Sequence, residues 1–294
     1  MKESGLKWSY MRIKAAWLRH LRRRRGSKIL QHSIYMAKLH KTPFKTLLEN
    51  IFEATEKYQA GFTFPITASA ALRKPELTRM IANSKHEIAV HGFKHVNYRY
   101  LSEKEQEDDI KRCISAFRKM GIRIFGFRAP YNAYTECTPR ILEKFNFLWD
   151  GGIGYSPKYS ELRSFFRIQI GDHESNFVCI PLSKWSDDKM IDECRLKNWQ
   201  MIKILRGTLE KAADSHGIIM FDLHPIRIGQ SKYIEVLEQL LEHGARLDGW
   251  FPTVTEAVEY WCKHEEWRGD ASFCCLLTGD IDNFTFTDYL LRLT

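Results

Sequence analysis

The chain has 294 residues, 44% hydrophobic and 13% aromatic, enough to bury one large core, and α/β barrels of about 200 to 250 residues are commonly a single domain. Its formal charge of +9 is concentrated at one end: residues 1–45 carry thirteen Lys and Arg against one acid, Glu3, a local +12 that leaves the remainder at −3. The body therefore gives no reason to expect a polyanion-binding enzyme, and nothing in it looks like a base-reading module, so nucleic acid is an unlikely partner.

If helical, residues 6–21 gather Leu6, Tyr10, Ile13, Trp17 and Leu21 on one face, with Arg12, Arg19 and Arg23 roughly opposite. Such an arm, assigned to residues 1–41, either packs on the body with solvated arginines or lies on an anionic membrane surface, for which Trp, Tyr and Arg22 to Arg25 are suited. From Thr42 onward helical and extended segments alternate, the pattern of a mainly parallel sheet or barrel with helices outside. Pro43 opens a helix with apolar Phe44, Leu47, Leu48, Ile51 and Phe52, ending near Gly61, and a strand follows over 62–66. Next come a helix over 74–82, a strand over 87–92, a helix over 102–120 with acids in its first turns, and a strand over 122–127. Helices are expected over 138–145 and 192–213, separated by an irregular stretch, 151–190, read as loops and short strands around a site. A buried strand over 217–223 ends at His224-Pro225; helices over 232–243 and 253–263 precede a strand over 272–278. That strand leads into Gly279-Asp280-Ile281-Asp282.

Seven cysteines, an odd count without a C-x-x-C pair and mostly in apolar runs, suit a reducing compartment and buried thiols. No uninterrupted apolar stretch follows the N-terminal charges, and nowhere do about eighteen apolar residues run together. The expectation is a cytoplasmic protein, with peripheral contact to an anionic inner membrane surface through residues 6–25.

Four short patterns carry chemistry. His91-Gly-Phe-Lys-His95 places two imidazoles where a strand becomes a loop, able with one carboxylate to hold a cation and leave positions open; alone the pattern is weak. Asp280 and Asp282 project to the same face of a strand end, where two carboxylates repel unless a cation or arginine separates them, which fits one ligand and one general base. In isolation an Asx-type turn capping a helix over 284–293 explains them as well. Arg128-Ala-Pro-Tyr131 ends another strand; its guanidinium can grip a carboxylate, and Pro130 stiffens the turn that aims the Tyr131 N–H at an oxyanion. His224 stands at the mouth of a buried strand, placed to give a proton to a leaving amine or simply to cap the strand.

In order and spacing, these segments resemble the polysaccharide deacetylases of the NodB type, also called carbohydrate esterase family four. Phe62-Thr-Phe-Pro-Ile66, Lys74-Pro-Glu-Leu77 and Lys85-His-Glu-Ile-Ala-Val-His-Gly-Phe-Lys-His95 are similar to the family's run from its second strand to its metal-histidine motif. Arg128 to Tyr131 resembles its arginine motif, Trp149-Asp150 part of its aspartate and tryptophan motif, and His224-Pro225 its final histidine motif. The family's acidic motif lies on its first strand, yet residues 1–61 contain no Asp; the match, Leu276-Leu-Thr-Gly-Asp-Ile-Asp282, stands at the other end of the chain. The resemblance thus implies a circular permutation, in which the C-terminal strand supplies the first strand of a distorted (β/α) barrel of about seven strands over residues 42–294.

The resemblance also implies roles. Asp282, His91 and His95 would hold one divalent metal ion, zinc or else cobalt, manganese or iron, and Asp280 would take a proton from the water it activates. Arg128 would orient Asp280, Asp150 would brace Arg128, the Tyr131 N–H would stabilise the oxyanion and His224 would protonate the amine. The implied activity is hydrolysis of the acetamide of an N-acetylated sugar, whether polysaccharide, glycan or lipid-linked. The alternatives are a non-catalytic carbohydrate- or membrane-binding relative, favoured if Asp280 and Asp282 lie far from the two histidines, and a hydrolase of a small non-sugar amide. Asp222, two residues before His224, either raises that imidazole's pKa or faces a helix; the sequence leaves this open.

Overall fold

A computed structural model describes residues 26–133, 135–153, 164–264, 268 and 270–293; the expected helix over 6–21 lies outside the described residues. In chain order the strands are β1 (Thr63–Ile66), β2 (Glu87–Val90), β3 (Gly126–Phe127), β4 (Trp149–Asp150), β5 (Gln169–Ile170), β6 (His173–Glu174), β7 (Val178–Cys179), β8 (Ile218–Asp222), β9 (Gly249–Trp250) and β10 (Phe273–Thr278). Strands β5 and β6 form a separate antiparallel hairpin, and the others form one sheet ordered β7-β4-β3-β2-β1-β10-β8, with β9 on the start of β10. Every neighbouring pair in that sheet is parallel. Its two ends meet where the Ser183 N–H, just past β7, donates to the Met220 carbonyl on β8 at 2.8 Å. The sheet therefore curls into the distorted (β/α) barrel that the resemblance implies, one of the two arrangements allowed by the alternation of elements.

β10 is the strand that makes this ring continuous. It pairs with β1 through Thr63 and Thr278, and with β8 from Cys274–Ile218 through Thr278–Asp222. All six of its residues are buried, the apolar run expected of a parallel strand covered on both faces.

Strand alternation divides the core. Ala89, Trp149, Val178, Ile218, Met220, Cys274 and Leu276 form an inner cluster with Val254, Ala257 and Val258 of the helix Val254–His264. The alternate residues Phe64, Ile66, Ile88, Val90, Phe221, Leu223, Cys275 and Leu277 join an outer cluster with the helices Phe44–Glu56 and Ile234–Arg246. Because side chains two apart share a face, extending the inner rows past the strand ends brings His91 into line with Ala89 and Arg128 with Gly126. The same period aligns Asp222 and His224 with Met220, and Asp280 and Asp282 with Leu276. All of these groups sit at the C-terminal ends of parallel strands, the end at which barrels of this architecture carry their chemistry.

Several expected bounds move. The strand expected over 122–127 contracts to Gly126–Phe127, because the Ile122 N–H still bonds back to the Phe117 carbonyl at 3.0 Å and completes the preceding helix's C-terminal turn. The helix expected over 192–213 is interrupted: Lys189–Glu193 forms one wide π-type turn, Arg195 takes a left-handed φ of 53°, and the helix proper runs Asn198–Asp214. Helices Gly26–Leu39 and Ala68–Arg73 are additional. All seven cysteines are free; Cys113, Cys179, Cys274 and Cys275 are buried as expected, whereas Cys194 and Cys262 are exposed.

The helix Gly26–Leu39 docks on the body at its C-terminal half. Met36 is buried, the Leu39 carbonyl accepts from Gln230 Nε2 at 2.9 Å, and His40 Nε2 bonds Asn283 Oδ1 at 2.8 Å. Tyr35 donates to Asp192, which also receives Arg227 at 2.9 and 2.7 Å. Among the described residues no helix is long and apolar enough to cross a membrane.

Candidate active site

The loop after β2 is held from below. Gly92 adopts a φ of +74°, and a Cβ there would meet the Lys94 carbonyl and the Pro130 ring at 3.1 Å, so glycine is required for both conformation and space. The buried Asp109 carboxylate accepts from the Phe93 N–H at 2.9 Å and the Tyr98 hydroxyl at 2.8 Å, while the Arg112 guanidinium lies 3.8 Å over the Phe93 ring. This clamp fixes the span between His91 and His95. Asp109 lies on the helix Glu103–Lys119, away from every motif, and no feature of the sequence marked it.

His91 Nδ1 bonds the Arg128 carbonyl at 2.9 Å. A carbonyl oxygen only accepts, so Nδ1 donates and the neutral ring presents its lone pair at Nε2. That nitrogen is buried without a hydrogen-bond partner and faces Asp280 Oδ2 at 3.4 Å and Asp282 Oδ1 at 3.5 Å; His95 Nε2 stands 3.3 Å from Asp282 Oδ1. A lone pair set against carboxylates is repulsive unless a cation lies between them. Metal bonds of about 2.0–2.1 Å in tetrahedral geometry separate ligand atoms by about 3.3–3.4 Å, close to the spacings of Asp282 from the two histidines. The His91, His95 and Asp282 donor set, all within 4.8 Å of one another, thus fits a divalent cation.

Arg128 is fully buried and reaches from β3 across the barrel interior. Its Nη1 donates to Asp280 Oδ1 at 2.9 Å and Asp222 Oδ1 at 3.2 Å; Nη2 donates to Thr278 Oγ1 at 2.7 Å. Thr278 Oγ1 passes its own proton to the Phe221 carbonyl at 2.7 Å. The carboxylates that hydrogen-bond this guanidinium are therefore Asp280 and Asp222. Asp150, expected to brace it, accepts the Gly152 N–H at 2.8 Å; on β4 the inner positions belong to Trp149 and Gly151, whose Cβ would stand 3.5 Å from Arg128. After Pro130, Tyr131 and Asn132 both take left-handed φ values, 61° and 48°, a local strain of about 1–3 kcal/mol per residue of the kind that collects at working sites. The Tyr131 ring packs on His95 with centroids 4.2 Å apart.

His224 faces this group from β8. Its Nδ1 bonds Asp187 Oδ1 at 2.7 Å, and its Nε2 stands 3.8 Å from Asp222 Oδ2. Burial opposes a charge on the imidazole, but the Asp222 and Asp187 carboxylates outweigh it and hold the pKa well above the ordinary histidine value. Burial, then the charge of Asp280, raises the Asp222 carboxyl, while the charges of His224 and Arg128 favour its ionised form. The fully buried Asp187 comes from the irregular stretch 151–190, where the adjacent Asp187-Asp188 pair is its signal in the sequence.

His95, Tyr131, Asp222, His224, Asp280 and Asp282 line one cleft of about 540 Å³ together with Met36 and Phe44, within the usual size of small-molecule sites. The separation that would favour a non-catalytic relative is absent: the acids and histidines are neighbours.

Residues 40–148 match the model of the polysaccharide deacetylase family. That stretch contains His91, His95, Arg128 and Tyr131, and the remaining site residues lie beyond it. A peptidoglycan deacetylase-like protein of Gibberella zeae is 32% identical over 104 residues, 35% of this chain and 31% of its own length. The peptidoglycan deacetylase of Helicobacter pylori is 24% identical over 130 residues, 38% of this chain and 44% of its own. The chain thus matches less than half the length of either relative. Among solved structures, a Mycobacterium smegmatis protein assigned to the polysaccharide deacetylases superposes with a TM-score of 0.66 at 22% identity over 75% of this chain and 78% of that one. The PuuE allantoinase superposes with a TM-score of 0.64 at 18% identity over 76% and 74%. These superpositions establish a shared fold.

Proposed function

We propose that the protein, whose residues 40–148 match the polysaccharide deacetylase model, is a metal-dependent hydrolase that removes acetyl groups from an N-acetylated sugar. The observation that carries this reading is the His91, His95 and Asp282 donor set, with Asp282 3.5 and 3.3 Å from the two imidazoles, beside a carboxylate, Asp280, held by Arg128 at 2.9 Å. His91, His95 and Asp282 would hold the cation, zinc by the chemistry of two imidazoles and a carboxylate. When bound, the cation supplies Lewis-acid polarisation of a carbonyl oxygen and acidifies a water.

The chain's own residues do the rest. Asp280 accepts a proton from the attacking water as the new C–O bond forms, and Arg128 keeps that carboxylate aimed into the cleft. The Tyr131 N–H, turned by the left-handed backbone, is assigned to the developing oxyanion. His224, its Nδ1 proton held by Asp187, gives the Nε2 proton to the departing nitrogen as the C–N bond breaks. Acetate and a free amino sugar leave. Asp150 supports the turn after β4 through Gly152 rather than entering the chemistry.

The test is release of acetate from N-acetylglucosamine oligomers by the purified, zinc-loaded protein. Release that disappears with a chelator and returns with zinc supports the reading. Loaded protein that leaves these oligomers intact, or that cleaves only small non-sugar amides, overturns it.

The permutation, the division at residue 41 and the arm belong to the same proposal. From their charge we infer that residues 6–25 contact an anionic membrane surface, on the cytoplasmic side, rather than pack on the body. Deleting residues 1–25 should weaken co-sedimentation with anionic vesicles and leave metal binding intact; unchanged co-sedimentation rejects the membrane role.

A further inference from the structure

Asp222 is a buried carboxylate that the reaction above does not use, yet it touches both of its halves. One oxygen, Oδ1, accepts from Arg128 Nη1 at 3.2 Å, the nitrogen that also holds Asp280. The other, Oδ2, faces His224 Nε2 at 3.8 Å. The ligand atoms of Asp222, His224 and Asp280 all lie within 4.8 Å of one another. A carboxylate in this place has no need of either neighbour for folding alone: β8 is already held by its ladder to β10, and Arg128 is already bound by Asp280 and Thr278.

We propose that Asp222 is a positioning residue that ties the proposed general acid to the arginine of the general base, its charge keeping the His224 imidazolium loaded with the proton destined for the leaving amine. This rests on the reading of His224 as proton donor. The charged groups that face His224 come from four directions. Asp222 lies on its own strand, Asp187 and Asp188 lie on the loop after β7, Arg227 follows on the helix Pro225–Ile228, and Arg128 with Asp280 stand behind Asp222. Burial opposes the imidazolium most and Arg227 opposes it less, while the charge of Asp222, then the charge and the hydrogen bond of Asp187, favour it. An opposite charge within about 4–6 Å shifts such a group by about 1–3 pH units.

The substitution Asp222→Asn keeps the size and the acceptor for Arg128 and removes only the charge. The His224 titration, followed by NMR of nitrogen-labelled histidine, should fall by about one pH unit or more, while zinc affinity by calorimetry is unchanged. A titration within a few tenths of the parent overturns the proposal, since a merely structural carboxylate would leave it in place. Asp187→Asn provides a second route should the first variant fail to fold: there His224 must still titrate above the ordinary histidine value, and a return to that value overturns the role of Asp222. Acetate release is measured beside it. A shifted titration in a protein inert toward N-acetylated sugars leaves the link standing and sinks the deacetylase reading; activity with an unshifted titration does the reverse.

Discussion

Thr67 Oγ1 donates to the Asp282 carbonyl at 2.9 Å across 215 positions of sequence. The backbone that presents the third metal-ligand candidate is thus pinned to the end of β1, and the Ile281 N–H reinforces it by bonding the Pro65 carbonyl at 2.8 Å.

Deletion of residues 271–294 should therefore cost the fold as well as the site. It removes β10 with its six buried residues and opens the facing edges of β1 and β8. Each buried large apolar side chain is worth roughly 1.5–3 kcal/mol, against a typical domain stability of about 5–15 kcal/mol. The expected outcome is an insoluble or molten protein without metal; a soluble, folded, zinc-binding truncation refutes the role given to this strand.

His91→Ala should remove the metal while leaving the fold. Elemental analysis of the purified variant is expected to find less than a tenth of the parent's zinc, and unchanged stoichiometry rejects the donor set.

Asp280→Asn should separate binding from chemistry. With His91, His95 and Asp282 intact, zinc content holds, and acetate release falls by about 100- to 10,000-fold, the usual contribution of a general base. Near-normal turnover would place the base elsewhere.

Asp187→Asn should move the alkaline limb of the pH profile. A proton donor must still carry its proton, so an imidazole held above the ordinary histidine value extends activity upward in pH. Loss of the Asp187 charge lowers that value, and the limb should retreat by about one unit or more. A drop in rate at every pH with the limb unmoved would mean that Asp187 only orients the ring.

Asp109→Ala should loosen the metal site from a distance. Without the acceptor for the Phe93 N–H and the Tyr98 hydroxyl, the His91–His95 span loses its clamp. Supporting groups of this kind are typically worth about 10- to 100-fold in metal affinity, which calorimetry of the folded variant would register.

The legible parts of this site are those written in strand period. Asp280 and Asp282, like Asp222 and His224, are two apart at the ends of apolar runs, so one alternation rule gives both their face and their end of the barrel. Asp187 and Asp109 follow no such rule: one lies in an irregular loop and the other on a helix face, and each reaches the site only through tertiary packing. The π-type turn at Lys189–Glu193 was hidden for a similar reason. Asp192 is drawn toward Arg227 and Tyr35, partners far along the chain, and Met190 is buried, so tertiary contacts break a run whose helical propensity is continuous.

The position of β10 also sets a clock. It is synthesised after every strand it pairs with, so β1 and β8 must wait for the strand that fills the place between them. At translation rates of about 5–20 residues per second, the interval between the emergence of β1 and that of β10 is on the order of ten seconds or more. During that interval the nascent barrel offers two unpaired parallel edges, and His91 and His95 have only each other for a cation. The proposed metal site would therefore gain its carboxylate ligand, Asp282, only once β10 has taken its place between those edges.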